Sequence, residues 1–533
     1  MPKIPDAPLL DKHSLSRLLR ERFAEGFSRL SDIPPPHLLH HGEKAAKRIA
    51  EAVRNGECIV LVGDYDVDGV SASALCSLFF SQIPYPLKTV IPNRFSDGYG
   101  VSPNILKRID ADLVFTVDNG INAFEAADIC KERGIDLVIT DHHTPSKELP
   151  DAYAVVDPKL EGCSYPFKEI CGAQVAWLLM ALVKKELGIS VDMAQFMDLL
   201  ALAVIADVMP LVGINRTIVQ AGLKQMMTSR RPSSVIIREF INKSSINSED
   251  IGFQIAPRLN SAGRLEDASI AFEFLIAESE EKAFKQFELL NRLNTRRKEM
   301  EADVTEEAMA KVNEDDRIIV VAGEEWNEGV VGIVASRLVS RFGRPAIVLS
   351  INGDRAKGSA RSVGEVNIYD LIKSQSDMLD KFGGHKMAAG LSLNAAVIDE
   401  FRIALNRKAD KLHPDDFLVK EEILGRLDGS VIDLELLRVI DEFEPYGEGN
   451  PRPRFLAEKA EVLSVKLLGA DRSHSRVLLR LQSHERCTFD LMAFRKVLSV
   501  PKDRTMTCSY TLNRNEWGGK VSVQLMLEKI YGV

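Results

Sequence analysis

The chain lacks the sequence features of secreted and membrane proteins. Its seven cysteines are spread over 533 residues and none forms a Cys-x-x-Cys pair, which argues against a disulfide framework or a structural zinc site. No apolar run reaches the ~18 residues that a transmembrane helix needs, and the first residues carry no basic and apolar leader. We therefore expect a cytoplasmic protein with reduced thiols and no membrane partner.

The chain also lacks the overall positive charge that is common among nucleic-acid-binding proteins, since its net charge is −9. The charge is unevenly distributed, however. Residues 451–533 hold 15 Lys and Arg against 8 Asp and Glu, a net charge of +7, which leaves −16 for residues 1–450. An acidic body with a basic tail suits a carboxylate-lined metal site combined with a phosphate-binding module. Chance asymmetry is the alternative that charge alone leaves open.

Short apolar segments alternate with amphipathic segments over residues 46–270. The apolar segments are CIVLV (58–62), LVFTV (113–117), IDLVIT (135–140) and AYAVV (152–156). All-apolar strands separated by helical crossovers predict a parallel sheet that is covered on both faces. Acidic motifs follow the first three strands, and the carboxyl ends of parallel strands meet at one sheet edge, where such folds bind ligands. The pattern therefore predicts an α/β domain with one shared acidic site.

The rest of the chain predicts further domains around this one. A Pro-containing lead-in (1–45) precedes the α/β domain (46–270), and residues 271–312 contain neither Pro nor Gly, which predicts a long connecting helix. Residues 313–412 repeat the strand–helix–strand pattern and predict a second α/β domain. Residues 413–533 comprise a linker and a strand-rich segment that predicts a small β-barrel of the OB type. The strands predicted in it are RVLLRL (476–481), TFDLMAF (488–494), MTCSYTL (506–512) and VSVQLML (521–527).

Three aspartates lie close together in GDYDVDG (63–69), directly after the first predicted strand. Asp64, Asp66 and Asp68 would repel one another unless a cation compensates them. A calcium loop of the EF-hand type is disfavoured, because a strand precedes the motif and Leu75 stands where an EF-hand needs Glu. A solvated loop stays open as an alternative, but the pattern favours a catalytic metal site.

Further candidate ligands follow the next strands. Asp118 precedes Asn-Gly and by itself is typical of a turn or helix-capping residue. Asp141, His142 and His143 place a carboxylate and two imidazoles together, which suits manganese, iron or zinc better than magnesium. Asp207 at the end of an apolar helix opposes the helix dipole and calls for a compensating partner. Together these residues exceed the needs of one ion and predict a two-metal site for phosphoryl transfer.

The order of these motifs resembles that of a known superfamily. DxDxDG (64–69), Asn93-Arg94, DNG (118–120), DHH (141–143) and ADVMP (206–210) resemble the DHH phosphoesterases, and GSARS (358–362) with GGHKMAAG (383–390) resembles their DHH-associated domain. APRLNSAGRLEDA (256–268) and PYGEGNPRPRF (445–455) narrow the resemblance to RecJ-like exonucleases. The resemblance covers roughly residues 45–533, and the ordered set is specific although no single motif is.

The resemblance implies a role for each matching residue. The implied metal ligands are Asp64, Asp66, Asp68, Asp118, His142 and Asp207, with Asp118 as the bridge between two ions of manganese or magnesium. Asp141 would ligate a metal or orient His142, and His143 would face the scissile phosphate, whose charge Asn93 and Arg94 would stabilise. The implied pocket for a terminal 5′-phosphate comprises Arg264, Ser359, Arg361, Gly383, Gly384 and His385.

Ordinary structural roles remain open for several of these residues. Arg264 could pair with Glu266 or Asp267, His385 could be a packed turn residue, and the glycines could serve tight turns only. Two departures from the family are visible as well. Asn327-Glu328 stands where His-Pro is often found, which puts a DNA contact there in doubt. Gln174 occupies a position where glycine is common, which we interpret as a packing difference.

The function implied by the resemblance is that of a 5′-to-3′ exonuclease, which hydrolyses single-stranded DNA to mononucleotides in DNA repair and recombination. A helicase or a single-strand-binding protein would be its partner. The alternatives are a DHH phosphodiesterase of short oligonucleotides or cyclic dinucleotides, and a non-catalytic nucleic-acid-binding scaffold. The C-terminal segment would bind the strand through basic and aromatic side chains. The aromatic candidates are Phe455, Phe489, Phe494 and Trp517, for which a place in the barrel core is the alternative.

Overall fold

The segment expected to be a lead-in forms two elements that pack against the C-terminal part of the chain. The computed structural model describes residues 7–23, 26–419, 422–469, 472–482, 487–517 and 520–531. The first elements are strand β1 (Leu9–Leu10) and helix α1 (Lys12–Glu21). Helix α1 begins after Asp11, whose side chain accepts a hydrogen bond from the backbone of Ser14. Its buried leucines, Leu15 and Leu19, belong to the C-terminal core.

The first α/β domain is built on a parallel sheet, as predicted. Its elements are α2 (Gly42–Asn55), β2 (Ile59–Val62), α3 (Val67–Phe80), β3 (Lys88–Val90), α4 (Pro103–Leu106), β4 (Leu113–Thr116), α5 (Phe124–Glu132), β5 (Asp136–Thr140) and β6 (Ala154–Val156). The strand order is β3-β2-β4-β5-β6, and all neighbours are parallel. Strands β2 and β4 are buried at every residue because both faces of the sheet are covered. The edge strand β3 was not predicted, since it is short and only partly buried.

A helical layer follows and continues into a long connecting helix. Its elements are α6 (Gly172–Leu187), α7 (Met197–Ala206), α8 (Gly213–Thr228), α9 (Pro232–Ile241), α10 (Ser248–Asp250), α11 (Ala256–Leu265), α12 (Ser269–Leu275) and α13 (Glu280–Ala310). A π-helical turn at Ile251–Ile255 joins α10 to α11. The 31-residue helix α13 packs on α9, α11 and α12, so its first half belongs to the core of the first domain.

The second α/β domain has a mixed sheet. Its elements are β7 (Ile319–Glu324), α14 (Val331–Phe342), β8 (Ala346–Asn352), β9 (Arg355–Arg361), α15 (Ile368–Lys373), β10 (Lys381–His385), β11 (Ala388–Asn394) and α16 (Ile398–Ala409). The order is β10-β11-β9-β8-β7, with only β7 and β8 parallel within this described sheet. The two glycine-rich motifs form β9 and the β10–β11 hairpin. Helix α14 packs on α13, which therefore ties the two α/β domains together.

The C-terminal domain is rich in strands, as predicted. Its elements are β12 (Arg426–Leu427), α17 (Leu434–Asp441), β13 (Phe455–Leu468), β14 (His474–Arg480), β15 (Phe489–Ala493), β16 (Thr505–Trp517) and β17 (Lys520–Tyr531). The strand order β13-β14-β15-β17-β16 returns to β13 through its pairing with β16. Strand β1 pairs with β12, which adds the first elements to this domain. No helix in the described part of the chain is both long and apolar enough to span a membrane.

Candidate active site

Residues expected to hold metal ions converge at the carboxyl edge of the parallel sheet. These six are Asp64, Asp66 and Asp68 after β2, Asp118 after β4, His142 after β5 and Asp207 after α7. Nε2 of His142 lies 3.2 Å from Oδ1 of Asp118. The same nitrogen lies 3.5 Å from Oδ2 of Asp207 and 3.7 Å from Oδ2 of Asp68. Carboxylates from three segments far apart in sequence thus lie within 3.7 Å of the same imidazole nitrogen.

The ligand atoms fall into overlapping groups. Atoms of Asp64, Asp66 and Asp118 lie within 4.8 Å of one another, and atoms of Asp68, His142 and Asp207 form a second group of the same size. Asp118 and His142 also form a group with His143. Asp118 and its neighbour His142 therefore lie where the two groups meet, which is the place that a ligand shared by two cations would have to occupy.

Burial makes the negative charge of this cluster costly. Burial and then the charge of Asp66 raise the pKa of Asp64 well above its usual value, and burial and then Asp68 do the same for the pKa of Asp118. Within this cluster, five buried side-chain atoms have no hydrogen-bond partner among the described residues: Oδ1 of Asp64, Oδ1 of Asp118, Oδ2 of Asp207, and Nδ1 and Nε2 of His142. Unsatisfied carboxylate oxygens and imidazole nitrogens in one buried place are a donor set that fits divalent cations such as manganese.

Helix α6 fixes two of these carboxylates. The backbone N–H groups of Gly172 and Ala173 donate to Oδ2 and Oδ1 of Asp68 at 2.6 and 2.9 Å. Position 172 has no room for a side chain, because a Cβ would lie 2.4 Å from Cβ of Asp118. Asp118 itself has a φ of 62°, which non-glycine residues adopt rarely. The close approach of α6 therefore sets the distance between Asp68 and Asp118.

Asp141 and His143 form a hydrogen-bonded pair beside the cluster. Oδ1 of Asp141 lies 2.7 Å from Nδ1 of His143, and Oδ2 accepts from the backbone of Ile121 at 2.9 Å. Burial alone would lower the pKa of His143, but the hydrogen bond and charge of Asp141 outweigh it and raise that pKa to about 9. The imidazole is about half exposed. Nδ1 is paired with Asp141, and Nε2 is left for a ligand.

Three guanidinium groups line a cavity of about 430 Å³ between the two α/β domains. They belong to Arg94, Arg264 and Arg361, and Ser359 lies beside them. Nη1 of Arg361 donates to Oγ of Ser359 at 2.8 Å. Nη1 of Arg264 donates to the carbonyl oxygen of Gly329 at 3.0 Å. The buried Nε of Arg94 has no hydrogen-bond partner within the described residues.

The electrostatics of this cavity favour an anion. Burial, and then repulsion by Arg94, Arg297 and Arg361, lowers the pKa of Arg264 to about 10. The ion pair that was the alternative for Arg264 is not found in the described part of the chain, since Glu266 pairs instead with Arg296 at 3.7 Å. Converging cations without a matching set of carboxylates are typical of a phosphate-binding site.

The other residues expected in the phosphate pocket lie in a larger cavity of about 970 Å³. Gly383, Gly384 and His385 on β10 face Asp141 and His143 across it. Gly384 has a φ of 142°, and a Cβ there would lie 2.4 Å from the carbonyl oxygen of Ala388. The expected set is thus divided between two adjoining cavities, and Ser359 and Arg361 are the members that line both.

Asn93 and Arg94, expected to act together, have different surroundings. Nδ2 of Asn93 donates to the carbonyl oxygen of Glu266 at 2.9 Å, and its Oδ1 accepts from the backbone of Phe95 at 3.0 Å. The Asn93 side chain is thus used to hold its own loop. Arg94 lies 4.2 Å from the ring centre of Tyr65 and lines the smaller cavity with Arg264.

Sequence reasoning missed several residues of the cleft. Tyr99 lines both cavities, and its hydroxyl donates to the carbonyl oxygen of Asp118 at 3.3 Å. Lys357 also lines both, and it pairs with Glu328 at 2.8 Å. Glycines on either side of Tyr99 signal a loop, but no local pattern indicates which way its ring points. Lys357 has no signal beyond its place one residue before the GSARS motif.

The C-terminal domain encloses a third cavity of about 560 Å³ against the first domain. Basic residues from both sides line it: Arg264, Arg297, Arg452 and Arg454. The domains are joined there by the backbone N–H of Leu211, which donates to the carbonyl oxygen of Glu448 at 2.7 Å. Of the aromatic candidates, Phe455 is buried, Phe489 is partly buried and Phe494 is 55% exposed. The side chain of Trp517 lies outside the described residues.

Three family models match the chain in the predicted order of domains. The DHH family, N-terminal domain, matches residues 58–204. The DHHA1 domain matches residues 315–411, and the RecJ OB domain matches residues 425–529.

Curated relatives and solved structures agree with these matches. The single-stranded-DNA-specific exonuclease RecJ of Haemophilus influenzae is 33% identical over 99% of this chain and 96% of its own length. The protein of the same name from Bacillus subtilis is 37% identical over 93% of this chain, and the match spans 64% of that relative. The crystal structure of Thermus thermophilus RecJ with Mn²⁺ superposes with a TM-score of 0.83 at 29% identity, over 98% of this chain and 76% of that chain. The same protein with Mg²⁺ gives 0.77 at 27% identity, over 97% and 74%.

Proposed function

The chain belongs to the family of RecJ single-stranded-DNA-specific exonucleases, and from this we propose that it hydrolyses single-stranded DNA from the 5′ end to mononucleotides. Two divalent cations, manganese or magnesium, would be its cofactors. DNA repair and recombination would be its cellular role. The chain spans 64% of the length of the Bacillus subtilis relative.

One observation carries the proposal. A cluster of carboxylates and imidazoles and a cluster of guanidinium groups adjoin one interdomain cleft, and the two cavities of that cleft share Ser359, Arg361 and Tyr99. Hydrolysis of a strand that carries a terminal phosphate requires both groups: the first would hold cations at the bond to be broken, and the second would bind the terminal phosphate.

The proposed metal ligands are Asp64, Asp66, Asp68, Asp118, His142 and Asp207. Their support is the set of unpartnered buried atoms and the raised pKa values, which divalent charge would lower again. When bound, divalent cations lower the cost of deprotonating a water molecule and neutralise charge on the phosphate. The chain's own contribution is to hold these six side chains in place.

Asp141 and His143 would serve the scissile phosphate. The hydrogen bond and charge of Asp141 raise the pKa of His143 and favour its protonated form, with Nδ1 donating to Asp141. We propose that Nε2–H donates to a non-bridging phosphate oxygen and stabilises charge that develops there. Asp141 would orient the ring.

Arg264, Ser359 and Arg361 would bind the terminal 5′-phosphate, together with Arg94, which shares their cavity. Asn93 would position the loop that carries Arg94, because its own amide is already hydrogen-bonded. Gly383, Gly384 and His385 would line the passage between the terminal phosphate and His143. Anchoring the 5′-phosphate in one domain would present the next phosphodiester to the other, which gives the direction of cleavage.

The basic C-terminal domain would bind the strand beyond the cleft, and the third cavity with its arginine side chains would lie on that path. A helicase or a single-strand-binding protein as partner, and a cytoplasmic location, stay predictions.

The test is a time course with a 5′-phosphorylated single strand labelled at either end, and with a matching duplex, in Mn²⁺ or EDTA. We expect mononucleotides from the 5′ end of the single strand only, with activity abolished by EDTA and by Asp118→Ala. Asp128→Ala, an exposed carboxylate on α5, is the matched control and should retain activity. Cleavage of oligomers of a few nucleotides only would favour the short-oligonucleotide phosphodiesterase. Strand binding without cleavage in any metal would favour the scaffold.

A further inference from the structure

Two buried amide side chains lie behind the cluster of acidic residues without entering it. Gln174 on α6 is 2% exposed and Asn215 on α8 is fully buried. Nε2 of Gln174 donates to Oδ1 of Asn215 at 2.9 Å. Burying an amide is costly unless its hydrogen-bonding groups are paired. The backbone groups that these two amides bind therefore show which segments the pair holds in position.

Gln174 is connected to Asp68 through the first turn of α6. Its Oε1 accepts from the backbone N–H of Cys171 at 2.9 Å, which caps the helix. The next two N–H groups, of Gly172 and Ala173, are those that bind the carboxylate of Asp68. The Gln174 side chain therefore fixes the turn that fixes Asp68. Gln174 is therefore more than a difference in packing, because its side chain makes two hydrogen bonds.

Asn215 is connected to Asp207 through the turn after α7. Its Nδ2 donates to the carbonyl oxygen of Pro210 at 3.1 Å and to that of Glu169 at 2.7 Å. Within the same turn Val208 has a φ of 55° and is 63% exposed. A β-branched residue in the left-handed region is strained, and such strain persists only where surrounding contacts hold the backbone. The bond to Pro210 is one of those contacts.

We propose that Gln174 and Asn215 are positioning residues for the divalent-cation site: their mutual hydrogen bond holds the Asp207 turn against the start of α6, so that Asp207 and Asp68 reach His142 together. The two carboxylates come from different helices, and their oxygens lie 3.5 and 3.7 Å from the same imidazole nitrogen. This positioning role rests on the proposed function.

The test measures Mn²⁺ affinity directly, by titration calorimetry and by electron paramagnetic resonance of free Mn²⁺. Gln174→Met keeps the volume and removes both hydrogen bonds, and we expect the dissociation constant to rise roughly 10- to 100-fold, as for other residues that orient metal ligands. Asn215→Ala should act in the same direction. The double variant should bind about as weakly as the weaker single variant, because both break one link.

Asn406→Ala is the matched control. This amide on α16 of the second α/β domain makes three hydrogen bonds, to both backbone groups of Ile318 and to the carbonyl oxygen of Arg402. It should lower the melting temperature of the metal-free protein without changing Mn²⁺ affinity. In Gln174→Met, excess Mn²⁺ should restore kcat with an unchanged KM for DNA.

If Gln174→Met binds Mn²⁺ as tightly as the unaltered protein while its melting temperature falls as in Asn406→Ala, the pair is only structural and the inference is overturned. Should Asn215→Ala fail to fold, Gln174→Met decides alone. An unaltered protein that binds Mn²⁺ but cleaves no strand would refute the proposed function, and the binding data would still decide the positioning role.

Discussion

Replacing Arg264 with alanine should weaken the grip on a terminal 5′-phosphate and leave the chemical step intact. Its guanidinium lies in the 430 Å³ cavity with those of Arg94 and Arg361. Arg258 on the same helix offers a matched control. Its guanidinium lies 4.2 Å from the ring centre of Phe240 and donates to Asn291, outside the cavity.

The size of the effect follows from the hydrogen bonds at stake. A hydrogen bond to a charged group contributes about 1.5–3 kcal/mol net, and about 1.4 kcal/mol corresponds to a factor of ten. We therefore expect kcat/KM for a 5′-phosphorylated strand to fall roughly 10- to 150-fold. The melting temperature should hold or rise, because burial and repulsion by neighbouring guanidinium groups already disfavour the charge of Arg264.

The assay compares strands that differ only in a 5′-phosphate or a 5′-hydroxyl. Arg264→Ala should lose the preference for the phosphate and cleave the hydroxyl strand as the unaltered protein does. Arg264→Lys, which keeps the charge but not the planar fork, should fall between the two. An equal loss on both substrates, or the same loss in Arg258→Ala, would refute a role for Arg264 in 5′-phosphate binding.

Three further predictions concern other parts of the site. Asp118→Asn removes a buried carboxylate whose pKa is raised by burial and by Asp68, so the metal-free protein should melt a few degrees higher, at roughly 2–4 °C per kcal/mol. In calorimetry, Mn²⁺ should no longer stabilise this variant. A lower melting temperature of the metal-free variant would contradict the argument. Glu328→Gln breaks the ion pair with Lys357 and leaves this lysine for an incoming phosphate, so KM for 5′-phosphorylated strands should fall up to about fivefold. Glu324→Gln, at an exposed position, is the control. An unchanged KM would show that the ion pair does not compete with the substrate. Phe494→Ala should weaken the binding of long single strands about fivefold or more without weakening the binding of dinucleotides. Phe284→Ala, at an equally exposed position on α13, should change the binding of neither substrate. Equal losses in the two variants would count against base stacking on Phe494.

Local sequence pattern was sufficient for four of the five strands of the first sheet and for its acidic edge. Apolar segments such as CIVLV have no polar face and are short for helices, which favours strands covered on both sides, and the carboxyl ends of parallel strands meet at one edge. The convergence of Asp64, Asp118 and His142 could be predicted for this reason before any distance was known.

Two strands that were not predicted, β3 and β13, lack a clear local pattern. Strand β13 is among the longest, but its register shifts between Ala457 and Ala460 and again between Val462 and Ser464. Each bulge moves the following side chains to the opposite face, which removes the simple alternation that indicates a strand. Strand β3 has three residues and no alternation to detect.

The sequence by itself determined the class of each domain, their order and the residues of the carboxylate cluster, because burial of a local segment is encoded in that segment's own periodicity. Only the tertiary structure decided that Arg94 lines a cavity with Arg264 and Arg361, and that Asn93 does not. It likewise decided that α1 packs into the C-terminal core and that Gln174 reaches Asn215. Such contacts join segments that are distant along the chain, and their geometry depends on how whole domains pack, which no local periodicity records.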